Sequence, residues 1–145
     1  MSKIDRRSFL AAGIASASLS IPAARAATEP RYRSFRPGEL WLDSAGKPIQ
    51  AHGGSMFHLD GAFYWYGENK EFTTGRTDVF SWGVRCYRST DLYNWDDLGL
   101  IIQPDLHDRT SPLHPSAGLD RPHIIYHPRL KRYVCWVKMV KGAIQ

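Results

Sequence analysis

Two stretches of this chain, about 70 residues apart, follow one plan. The first runs Met56-Phe57-His58-Leu59, turns at Asp60-Gly61 and returns through Phe63-Tyr64-Trp65-Tyr66. The second runs His123-Ile124-Ile125-Tyr126-His127-Pro128, turns at Arg129-Leu130-Lys131 and returns through Tyr133-Val134-Cys135-Trp136-Val137-Lys138. Asp-Gly between alternating apolar residues is a strong hairpin signal, because Gly tolerates the positive φ of a tight turn. Both return strands carry an aromatic residue and a Trp at matching positions. A recurring unit of this kind marks a β-propeller, whose four-stranded blades bury their faces only against neighbouring blades. A β-sandwich with two similar hairpins is the competing architecture.

The remaining pattern is also all-β. Glu39-Leu40-Trp41-Leu42 reads as a short strand and Asp43 to Pro48 as a turn. The first hairpin has strands at about 55–59 and 62–67, followed by a strand from Gly83 to Ser89. Ser89-Thr90-Asp91-Leu92 reads as a turn, in which Asp91 and Asn94 bond local backbone while Trp95 packs beneath the sheet. A short strand runs from Leu98 to Gln103, and residues 104–119 read as a long loop. No segment sustains a 3.6-residue period. The whole supplies about one and a half blades, whereas a closed ring needs at least about four. Residues 40–145 are therefore expected to be the N-terminal part of a longer propeller domain, preceded by an extended lead-in at 27–39.

Residues 1–26 have a different character. Arg6-Arg7-Ser8-Phe9-Leu10 is a twin-arginine pattern, followed by a mildly apolar run and by Ala24-Arg25-Ala26, an A-x-A-like cleavage site. About 13 apolar and small residues are too few to span a bilayer. The expectation is a signal peptide read by the twin-arginine export machinery, cleaved after Ala26, with a periplasmic or secreted product and no membrane in the mature form. Removing four basic side chains and Asp5 leaves 15 basic and 13 acidic residues, net +2 where the whole chain has +5. With no Lys/Arg stripe left, nucleic-acid binding is excluded as an expectation.

Cys86 and Cys135 are the only cysteines. An oxidising compartment permits a disulfide between them, but both lie in apolar strand-like runs and read as two buried, inert thiols. No Cys or His stands at ligand spacing, so no metal and no cofactor is expected.

The chemistry gathers at the end of the first hairpin. Tyr64, Trp65 and Tyr66 lead into Gly67-Glu68-Asn69, which sets aromatic faces beside an acid and an amide. That combination suits a sugar ring, with its apolar C–H faces and hydroxyl edges. Three runs then carry a family likeness: AHGGSMFHLDGAFYWYGENK, GVRCYRSTDLYNWDDLGLII and LDRPHIIYHPRLKRYVCWVKM. Over about residues 37–140 the chain resembles the N-terminal blades of glycoside hydrolase family 43, in the branch of exo-β-1,3-galactanases. The resemblance implies a five-bladed propeller that cleaves terminal glycosidic bonds with inversion. Galactosidase, arabinofuranosidase and xylosidase specificities all remain open.

Inversion requires a protonated carboxyl and a water-activating base, roughly 6.5–9.5 Å apart. On the resemblance, Glu68 and Asn69 hold sugar hydroxyls. Asp120 stands before Arg121-Pro122, where the branch has a glutamate, and with Arg121 binds the terminal sugar. His52, presented by Gly53-Gly54, is the remaining binding candidate, although a lone His is as readily structural. The conventional base of the family has no counterpart at Ala51-His52-Gly53-Gly54, and Asp43 falls too early in the pattern. The general acid is expected beyond Gln145, so no catalytic pair is assigned here. The expected function is an exported, exo-acting glycoside hydrolase of galactan-like or related plant polysaccharide. A non-catalytic carbohydrate-binding propeller and an inactive truncated remnant are the alternatives.

Overall fold

The computed structural model describes residues 31–74 and 80–140. The expected signal peptide at 1–26 and the first part of the expected lead-in lie outside the described residues. Among the described residues there are six strands: β1 (His52–Leu59), β2 (Ala62–Glu68), β3 (Val84–Ser89), β4 (Asp96–Ile102), β5 (Leu119–His127) and β6 (Arg132–Met139). The first four form one antiparallel sheet in the order β1-β2-β3-β4, and β5 pairs with β6 in a second sheet. Together they make one four-stranded blade and a hairpin of the next, a partial propeller. Among the described residues the only helical element is a 3₁₀ turn at Pro115–Ala117.

Both repeated hairpins form. In the first, Asp60 and Gly61 take φ of 50° and 74°, and Leu59 pairs with Ala62. Two consecutive positive φ values define the type I′ turn that matches strand twist. The second closes over a longer loop, with His127 paired to Arg132 and Lys131 at φ 49°.

Each face of the first blade has its own core. Alternation sends Tyr66, Val84 and Cys86 to one side, where they meet Leu119, Ile124 and Val137 of the second sheet. Tyr66 also accepts a hydrogen bond on its hydroxyl from the Ile124 backbone N–H at 2.8 Å, so one buried side chain fastens the two sheets together. On the other side Tyr87 and the fully buried Trp95 pack with Ile49, Ala51 and Trp65. The Trp95 indole N–H donates to the Leu92 carbonyl, and Asp91 Oδ1 accepts from the Tyr93 and Asn94 N–H groups, as the turn reading required. Asn94 departs from that reading: its amide bonds Asp91 Oδ2 and, in place of local backbone, exchanges two hydrogen bonds with the Tyr32 backbone, 2.9 and 2.8 Å, and so pins the lead-in.

Several boundaries differ from the sequence reading. Glu39–Leu42 is not a strand, since Leu42 makes only an isolated bridge to Pro48. Pro48 has no N–H to extend a ladder, and Asp43 Oδ1 draws the Ala45 and Lys47 N–H groups into a local turn. The strands β1, β4 and β5 all begin earlier than expected, at His52, Asp96 and Leu119. Two of these extensions carry bulges, between His52 and Ser55 and between Asp120 and His123. A bulge breaks the two-residue alternation that makes a strand legible.

Cys86 and Cys135 are free thiols, Cys86 buried and Cys135 only half-buried, so the second departs from the expectation of two buried thiols. Burial pushes the Cys86 thiol up to about 11. The far face of the β5–β6 hairpin stays open, with Ile125, Val134 and Trp136 exposed, Trp136 by 65%. Apolar exposure of that kind is the mark of a blade face without its neighbour.

Candidate functional site

The two bulges meet at one end of the molecule and build the site there. Glu68 ends β2 opposite His52 of β1, and its carboxylate is turned inward, only 2% exposed. A buried carboxylate must be paired, and each oxygen has a partner. Oε1 accepts the backbone N–H of Arg121 at 2.9 Å, and Oε2 meets Lys70 Nζ at 2.9 Å. The first bond depends on the β5 bulge, where Arg121 adopts φ 49° and turns its N–H toward β2. It depends equally on Gly53 in the β1 bulge. Gly53 has φ 57°, and a Cβ there would lie 2.5 Å from Glu68 Oε1. The carboxylate occupies the room that the missing side chain leaves.

Asp120 precedes the bulge and is also buried. Its Oδ2 lies 3.4 Å from Lys138 Nζ and 3.8 Å from Arg121 Nε. Burial pushes the Asp120 carboxyl up. A hydrogen bond with Glu68, the Lys138 contact, and the Lys138 and Arg121 charges outweigh that, leaving it below the usual carboxylate range. Asp120 directly precedes the residue whose N–H Glu68 accepts, and Lys70, Lys138 and Arg121 flank the two carboxylates. Carboxylates beside cations are suited to holding hydroxyls.

The other sequence candidates fall around this pair. The His52 ring is exposed, with Nε2 3.2 Å from Gln50 Oε1. Partial desolvation and the Lys70 charge hold its pKa below the ordinary value, against the opposing Glu68 charge. The Arg121 guanidinium is 74% exposed, so this residue serves Glu68 through its backbone and Asp120 through its side chain. Asn69 is placed differently. It is buried, its Nδ2 donates to the Trp82 carbonyl and its Oδ1 accepts from the Glu71 N–H. Its amide organises the loop after β2, and Arg85, bonded to both Glu71 and Asp97, ties that loop to the blade.

Sequence reasoning missed Lys70, Lys138 and the steric role of Gly53. Lys138 had a usable signal, because it sits opposite Asp120 in the β5–β6 register and opposite charges pair across strands. Lys70 had none beyond its nearness to Glu68. Among the described residues no group of three or more His, Cys, Asp or Glu is placed to hold a metal ion. A cavity of about 600 Å³ lies away from the carboxylates, between residues 31–42 and Tyr93.

No protein-family model matches the chain, and no curated protein matches it. Solved structures do. A family 43 β-1,3-galactosidase is 38% identical, with a TM-score of 0.61 over 75% of this chain and 22% of its own. The exo-β-1,3-galactanase of Phanerochaete chrysosporium, solved with galactose, is 31% identical, with a TM-score of 0.60 over 70% of this chain and 22% of its own. An exo-β-1,3-galactanase from Clostridium thermocellum is 31% identical, with a TM-score of 0.56 over 69% and 20%. The chain thus resembles the N-terminal portion of glycoside hydrolase family 43 in its exo-β-1,3-galactanase branch, and it spans about a fifth of the length of these enzymes.

Proposed function

We propose that this chain forms the terminal-sugar end of an exported glycoside hydrolase that removes galactose from the non-reducing ends of β-1,3-galactan with inversion. The observation that carries the reading is the buried Glu68–Asp120 pair, contributed by two successive blades and lined by cations. Hydroxyls of a sugar are donors and acceptors together, and a carboxylate pair with adjacent ammonium and guanidinium groups answers both. The likeness to enzymes named for β-1,3-linked galactose supports the choice of galactan over arabinan or xylan.

Protonation of the leaving oxygen and activation of water are assigned to other blades of the propeller. Those blades would also cover the open apolar face of the β5–β6 hairpin. The twin-arginine pattern supports export to the periplasm or beyond, with a polysaccharide as partner and neither nucleic acid nor membrane in the mature form.

The test has two parts. The native product is isolated from its own periplasm and its intact mass measured, and galactose is titrated into it by calorimetry. A mass well above that of this chain, with saturable galactose binding, is the expected result. A species no larger than this chain that still binds galactose would leave a sugar-binding module. Absence of galactose binding would overturn the reading.

A further inference from the structure

Lys70 stands between the buried carboxylate and the outside. Glu68 is 2% exposed, whereas the Lys70 side chain retains 28%, with Nζ 2.9 Å from Glu68 Oε2. The same Nζ lies 3.9 Å from the centroid of the Phe80 ring, so a carboxylate and an aromatic face grip one ammonium group. The Lys70 backbone is fixed as well, its N–H donating to Gln50 Oε1 at 3.2 Å. An ammonium has three N–H donors and rotates freely about its last bond. One is directed at Glu68, and the ring takes up a flank of the cation without consuming a donor as an oxygen would. A partly exposed, immobilised cation thus keeps donor capacity beside the carboxylate pair. Asn69, the amide that the sequence sets beside Glu68, has its oxygen and nitrogen engaged by its own loop.

We infer that Lys70 is a sugar-contacting, specificity-determining residue: it donates from Nζ to one hydroxyl oxygen of the terminal sugar. An adjacent hydroxyl donates to the carboxylate pair. Donor and acceptor side by side match two vicinal hydroxyls, one accepting and one donating, which is the chemistry of a neutral pyranose. Glu68 and Phe80 then act as the positioning residues of that ammonium. The inference rests on the proposed sugar-binding function and goes beyond it by naming the donor.

The experiment uses the full-length native product, with galactose and its single-position deoxy analogues as probes. Binding constants are measured by calorimetry for the parent and for Lys70→Met and Lys70→Arg. A hydrogen bond from a charged donor governs affinity on the order of tenfold or more. Lys70→Met is expected to weaken galactose binding by that factor, with Lys70→Arg recovering part of it. One deoxygalactose should bind the parent about tenfold worse than galactose does, yet bind Lys70→Met no worse than galactose does. A purely structural lysine would not produce that analogue-specific loss. If Lys70→Met leaves an orphaned carboxylate and does not fold, Glu68→Gln/Lys70→Met is compared with Glu68→Gln alone, where Lys70 keeps Phe80 but loses its ion pair, and a loss of about threefold or more in the same direction is expected. Binding within twofold of the matched parent, or unchanged discrimination among the deoxy analogues, overturns the inference while leaving the function standing. A parent that binds no galactose overturns both.

Discussion

Replacing Gly53 with alanine tests the architecture of the site at its tightest point. The substitution acts twice. Gly53 sits at φ 57°, and left-handed backbone costs a residue with a Cβ roughly 1–2 kcal/mol. The new methyl would also lie 2.5 Å from Glu68 Oε1, so the carboxylate must withdraw from the Arg121 N–H that it now meets at 2.9 Å. Withdrawal is hindered because Oε2 is held by Lys70 on its other side. A hydrogen bond to a charged group contributes about 1.5–3 kcal/mol, and the entropy lost from the unfolded chain returns roughly 0.4–1 kcal/mol. The net expectation for Gly53→Ala is a destabilisation of roughly 2–4 kcal/mol. Urea unfolding of the full-length product measures it, and a double-mutant cycle with Glu68→Ala separates the two causes. In the Glu68→Ala background only the backbone cost less the unfolded-chain gain remains, so the second step should fall to roughly 0–1.6 kcal/mol. Additive effects, or a Gly53→Ala protein within about 0.5 kcal/mol of the parent, would refute the placement of Glu68 against Gly53.

Three further outcomes follow from the same contacts. The folded-state pKa of Asp120 is lowered, so its contribution is fully present above the unfolded value of about 3.9 and is lost as pH falls through the folded value. The urea midpoint of the parent should therefore drop more steeply than that of Asp120→Asn between about pH 4 and pH 2.5, measured as a midpoint series. Cys86, buried with its thiol raised to about 11, should resist iodoacetamide in the native state, while half-buried Cys135 is alkylated first; peptide mass spectrometry reads the order. Asn94→Ala removes both bonds to the Tyr32 backbone, which should cost about 1–3 kcal/mol and open residues 31–38 to limited proteolysis ahead of the sheet.

What the sequence made legible and what it hid divide along a physical line. The two hairpins were readable because strict alternation and an Asp-Gly turn are local signals, and the Ser89–Trp95 turn because its side chains bond their own backbone. The bulges at His52–Ser55 and Asp120–His123 were not, since each interrupts alternation where the site is built. Glu68 and Asp120 were identified by type and motif, but the bond that brings Glu68 to the residue after Asp120 comes from the stacking of two sheets, a non-local event. Asn69 illustrates the converse. Adjacency to Glu68 suggested a shared role, yet the chain turns sharply after β2 and buries the amide in the following loop. Lys70, one residue further, swings back to the carboxylate, and nothing in a run of Glu-Asn-Lys distinguishes those two fates.

The most direct test of the central claim is proton NMR of β-1,3-galactan during its first minutes with the full-length native product. The account predicts free galactose as the first product, released as the α-anomer and only later equilibrating, with the initial rate falling at least tenfold in Asp120→Ala. Internal oligosaccharides, β-galactose at the earliest times, or an Asp120→Ala rate equal to the parent would contradict it.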